Sequence, residues 1–159
     1  MRTPGFDLQK AHRYFASLSF NNAWDLMIRA KRTVQENDEM LRLSHASLWH
    51  WTQFSEHTSI NLSVGNWQLS RIYSLLSKPE EAERFAKISL KLAEKDCLGP
   101  FFRAYGHEAL ARAGLLSGKH VFAEKHLQKA FRLAKEVVAA DDKNLLIDDL
   151  ERLQSMLPS

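Results

Sequence analysis

Two stretches, LSRIYSLLSKPEEAERFAKISLKLA at 69–93 and LARAGLLSGKHVFAEKHLQKAFRLA at 110–134, repeat one another at an offset of 41 residues. Leu69 falls on Leu110, Arg71 on Arg112, Leu75 on Leu116, Ala82 on Ala123, Glu83 on Glu124, Leu92 on Leu133 and Ala93 on Ala134. Apolar residues in each copy return every three or four positions, which is the helical period. A small residue, Ser70 or Ala111, is followed twelve positions later by Ala82 or Ala123, and seven further on by Ser89 or Ala130. Small side chains at those places let two helices approach closely, so each copy reads as a helical hairpin. Such units cannot bury their apolar faces alone and stack on neighbours.

The same period runs through the rest of the chain. Six Gly and four Pro punctuate 159 residues, and the reading is all-α. Thr33-Val34-Gln35-Glu36 has the form of a capping box, in which the hydroxyl accepts an orphan amide and the Glu reaches back. Ser77-Lys78-Pro79-Glu80 is read in the same way, with Pro79 in the first turn, where its missing N–H costs nothing. Gly99-Pro100 breaks the chain, Gly118 suits a left-handed C-cap, and Asp141 or Asp142 is expected to cap the last helix. These signals predict about eight helices, near 7–19, 22–32, 34–55, 59–77, 79–95, 100–117, 119–139 and 142–157, in a single domain over 1–159. No stretch of about 18 apolar residues occurs, and the N-terminus carries no apolar leader. The expected setting is the cytoplasm, without membrane. Cys97 is the lone cysteine, so no intramolecular disulfide forms, and it is read as a half-buried loop thiol.

The spacing small-x11-Ala-x6-small resembles the tetratricopeptide repeat, and Ala11, Ala23 and Ala30 give a third copy. The resemblance implies a helical-hairpin solenoid with hairpins near 7–32, 59–95 and 100–139, whose first helices line a concave groove. The stretches KAHRYFASLSFNNAWDLM, MLRLSHASLWHW, GNWQLSRIYSLL and AYGHEALARAG are similar to a family of small bacterial proteins with that fold, which implies an architecture and no activity. In this frame the helix 34–55 belongs to no hairpin. It is expected as an insertion that makes the middle irregular, with 142–157 as a C-terminal cap.

Two imidazoles and two indoles crowd His45-Ala46-Ser47-Leu48-Trp49-His50-Trp51. At 100° per residue, Met40, Leu43, Ser47, Trp51 and Phe54 share one arc, whereas His45 and His50 lie on opposite flanks. They cannot share a metal, and no cofactor is expected. His107-Glu108-Ala109-Leu110-Ala111 lacks the second His of a zinc protease helix, and Gly114-Leu115-Leu116-Ser117-Gly118-Lys119-His120 is one residue short of a phosphate loop. No catalytic residue is assigned.

By the resemblance, Arg71 and Arg112 take the same place on successive first helices, with Trp67, Gln68, Tyr105 and Glu108 nearby. Two guanidiniums and two rings suit a protein or peptide partner, and an acidic one in particular, because Arg grips carboxylates bidentately. A competing reading pairs Glu108 with Arg112 and lays Trp67 over Arg71 within one helix. An alternative function is a small-molecule enzyme or sensor with a pocket between helices 34–55 and 59–77, near His45, His50, Trp67 and Arg71. A third is weak nucleic-acid binding, because Lys87, Lys91 and Lys95 form a stripe and the net charge is +3. Interleaved Glu80, Glu83 and Glu94 make that stripe a solvated face. Leu146, Leu150, Leu153 and Leu157 line up on the last helix, as a cap or a homodimer seam.

Overall fold

A computed structural model describes residues 5–158, and among them there are seven helices and no strand. They are α1 (Leu8–Met27), α2 (Val34–Gln53), α3 (Ser59–Leu75), α4 (Pro79–Lys95), α5 (Pro100–Leu116), α6 (His120–Ala134) and α7 (Ala140–Gln154). Consecutive helices pack as hairpins, α1 with α2, α3 with α4 and α5 with α6, while α7 packs on α5 and α6.

The count departs from the expected eight because 7–19 and 22–32 are one helix. Burial of Ala16, Ala23 and Met27 along one face carries α1 straight through the expected gap between 19 and 22, as tertiary packing commonly overrides local propensity. Helix α1 then ends at Met27, and Arg32 Nη1 donates to the carbonyls of Leu26, Met27 and Arg29. The helix expected as an insertion is therefore the second arm of the first hairpin. Thr33 starts it with the expected capping box: Glu36 N donates to Thr33 Oγ1 at 3.1 Å, and Thr33 N to Glu36 Oε2 at 2.8 Å.

Close approach within the hairpins runs through the small residues. Ser70 Oγ donates to Ala82 O at 2.8 Å, and Ser63 and Ser89 each donate to the other's carbonyl. Ala82, Ala111, Ala123 and Ala130 are fully buried. In the first hairpin the frame is Ala16 and Ala23, not Ala11, Ala23 and Ala30. Ser47 Oγ donates to Ala16 O at 2.8 Å, Ala23 packs with Met40, and Ala30 is exposed outside the helix.

Turn chemistry differs in two places. Ser77 caps nothing at the start of α4; it adopts φ 57° after α3, where Lys78 N donates to Tyr73 O at 2.9 Å. Gly118, offset by 41, adopts φ 71° with Lys119 N on Gly114 O, the left-handed cap the sequence predicts. Ala139, rather than an Asp, sits at the N-cap of α7; Asp141 and Asp142 lie in its first turn, facing the positive end of the helix dipole. Cys97 is exposed, not half-buried, with φ 51°.

Leu146, Leu150 and Leu153 bury one side of α7 against Ala104, Ala111, Leu127, Ala130 and Ala134. The stripe offered for self-association is thus used within the chain. No helix of the described residues is long and apolar enough to cross a membrane.

Candidate functional site

The first arms of the three hairpins and α7 surround a cavity of about 570 Å³. Phe20 and Trp24 reach it from α1, Trp67 and Arg71 from α3, Phe101, Phe102 and Tyr105 from α5, and Asp148, Asp149 and Arg152 from α7. Its rings form a connected wall. Trp24 stacks on Phe20 and on Trp67 with centroids 6.5 and 5.9 Å away; Tyr105 meets Trp67 edge-on at 5.4 Å and Phe101 at 5.0 Å.

Beneath this wall lies Glu108, fully buried. Its Oε1 accepts from Arg71 Nη1 at 3.2 Å and from Arg112 Nε at 2.9 Å and Nη2, while Oε2 accepts the indole N–H of Trp67 at 3.2 Å. Burial pushes this carboxyl upward, yet Arg112 and Arg71 outweigh it and hold Glu108 below the ordinary carboxylate range. Burial and the neighbouring Arg112 lower Arg71 from its usual value. Tyr105 donates to Asp149 Oδ2 at 3.0 Å, and burial together with that carboxylate raises its phenol.

Five of the eight residues singled out from the sequence gather here. Trp67, Arg71 and Tyr105 line the cavity, and Glu108 and Arg112 stand behind it. The within-helix pairing of Glu108 with Arg112 is present, but the Trp67 indole hydrogen-bonds Glu108 across two helices. Gln68 is buried elsewhere: Nε2 donates to Phe20 O at 3.0 Å and Oε1 accepts from Ser44 Oγ, tying the first three helices together. His45 and His50 do not border the cavity and are not brought together with Trp67 and Arg71 as the alternative pocket required. His45 Nε2 lies 3.1 Å from Tyr73 Oη, and His50 Nδ1 lies 2.9 Å from His12 Nδ1, on the α1 side of α2. A matching pair links α5 to α6, with His107 Nδ1 2.8 Å from His126 Nδ1. Burial first, then nearby positive charge, pushes both of these imidazoles down to about 4. Among the described residues no three His, Cys, Asp or Glu side chains gather as metal ligands do. In the basic stripe, Lys87 is paired with Glu83 at 2.6 Å, and Lys119 with the same carboxylate at 2.8 Å.

Sequence reasoning missed Phe20, Trp24, Phe101, Phe102 and the α7 residues. The first two carry a usable signal. With Ala16 and Ala23 in the register of Ser63 and Ser70, Phe20 falls on Trp67 and Trp24 on Arg71, an offset of 47. The misplaced first frame hid it. No protein-family model matches the chain, and neither a curated protein nor a solved structure does.

Proposed function

We propose that this chain is a non-enzymatic helical-repeat module of tetratricopeptide-like kind that binds a protein or peptide segment in the cavity between its first hairpin arms, the concave face of a short solenoid. The observation that carries this reading is the cavity itself. Six aromatic side chains from three helices, α1, α3 and α5, converge on a volume of about 570 Å³, within the size range of binding pockets, and a few polar groups at its edge can orient a ligand. Aromatic walls supply large contact area at low conformational cost.

The test is selection of short linear peptides displayed on phage, panned on the wild-type protein. Trp24 is 39% exposed and stacks at the rim, so Trp24→Ala removes binding surface with little demand on the fold. Selected peptides are expected to bind wild type and to lose about tenfold or more in affinity on Trp24→Ala, as truncating an aromatic anchor does. Peptides that bind both proteins equally place recognition elsewhere and overturn the reading.

A further inference from the structure

A second, smaller cavity of about 330 Å³ lies beyond the first, lined by Ser74, Leu75, Leu115, Leu116, Leu153 and Met156, and Arg71 borders both. Arg112 borders the second. Arg71 therefore stands as a ridge between an aromatic cavity and an aliphatic one, with Arg112 beside it on the aliphatic side. They share a single carboxylate oxygen, Glu108 Oε1, which engages only Nη1 of Arg71 and Nε and Nη2 of Arg112. Among the described residues, Nε and Nη2 of Arg71 and Nη1 of Arg112 have no hydrogen-bond partner, and the two side chains keep 24% and 21% of their exposure. Asp149, the next carboxylate along the wall, accepts from the Tyr105 hydroxyl and acts on Arg71 through space without a direct ion pair, so it leaves those guanidinium donors unoccupied.

We infer that the bound segment is a peptide with an acidic residue between a bulky aromatic or apolar residue and an aliphatic one: the carboxylate lies on the Arg71–Arg112 ridge, the bulky side chain enters the aromatic cavity, and the aliphatic one enters the Leu75–Leu116–Met156 cavity. This deepens, and rests on, the peptide-binding reading. The hydrogen-bond argument is direct. A largely desolvated guanidinium pair with unused donors offers a carboxylate charge-assisted hydrogen bonds, stronger than those a neutral acceptor makes, and an apolar residue there would leave those donors without a partner. Two flanking cavities of different lining then set the residue types on either side.

The same peptide selection, read for sequence, tests it. Enriched peptides are expected to share an Asp or Glu with an aromatic residue on one side and Leu, Ile, Val or Met on the other. In a selected peptide, Glu→Gln (or Asp→Asn) should weaken binding to wild type by about tenfold or more, and by much less to Arg112→Gln, because the partner is already gone. The peptide-side change needs no protein variant to fold. If peptides enrich and depend on Trp24 yet share no acidic position, or if the peptide-side change leaves affinity unaltered, the ridge assignment is wrong while the peptide-binding reading stands. If no peptide enriches, both fall.

Discussion

Glu108 is the residue on which the cavity floor depends. It is fully buried, and the side chains of Arg71 and Arg112 retain only 24% and 21% of their exposure. Its neutral isostere would keep the volume and remove the charge that compensates two partly desolvated cations. Breaking such a cluster from one side typically costs about 3 kcal/mol or more. Glu108→Gln is expected to lower the chemical-denaturation midpoint accordingly, and a stability within 1 kcal/mol of the parent, by that same scale, would contradict the cluster. The His107–His126 contact gives a second prediction at this scale. A bond between two Nδ1 atoms needs one to carry a proton and the other a lone pair, so the two rings cannot both be imidazolium. Lys129, Arg103 and Lys125 stand close by and oppose a second proton, with Glu83 as the opposing charge. Both pKa values are lower in the folded chain than the ordinary 6.5, so the pair's contribution to stability is complete above about pH 6.5 and is lost as pH falls toward 4. Thermal midpoints should drop across that window, and His126→Gln should flatten the drop. An identical slope in the variant would mean other groups control it.

At the scale of elements, the repeated hairpins were legible because their close contacts are written as small residues at a fixed spacing. Ala82→Leu and Ala123→Leu each place a large side chain at a fully buried helix contact, where overpacking costs about 1–3 kcal/mol. Lys87, paired with Glu83 on an exposed face, should tolerate Leu within about 0.5 kcal/mol. Calorimetry that finds all three equal would refute the frame. Gly106 was not legible as a contact. A Cβ there would come within 2.9 Å of the Leu90 backbone on α4, a meeting between hairpins that no spacing within one hairpin reveals. The first hairpin was misread for a related reason. Its arms face each other through Ala16–Ser47 and Ala23–Met40, so the small residue is followed by its partner after 17 positions rather than 12, and a template of fixed length slid to Ala11 and Ala30 instead. Left-handed caps were half legible: Gly118 declares itself, but Ser77 and Cys97 hold positive φ without glycine. Relieving that conformation by Ser77→Gly should raise stability by about 0.5–1 kcal/mol in thermal melts, and a loss would show that the serine makes an interaction worth more than the strain.

For the whole molecule, stacking places equivalent positions of successive first arms side by side. Trp67 and Glu108 are 41 apart and hydrogen-bonded; Arg71 and Arg112 are 41 apart and share that carboxylate. A repeat offset found in the sequence therefore names the residues that meet across hairpins, and this is why five of the eight candidates converged. The α7 wall could not be reached that way, since α7 has no repeat partner and its acidic residues read as surface. His45 and His50 were drawn in by their crowding in sequence, and a helix disperses such neighbours to different sides. The peptide-binding account is tested most directly by the four indole N–H resonances of the protein, Trp24, Trp49, Trp51 and Trp67, in heteronuclear NMR spectra recorded as a phage-selected peptide is added. Trp24 and Trp67 line the cavity, and Trp49 and Trp51 do not. The account predicts that the Trp24 and Trp67 signals move with saturation while those of Trp49 and Trp51 stay in place; movement confined to Trp49 and Trp51 would contradict it.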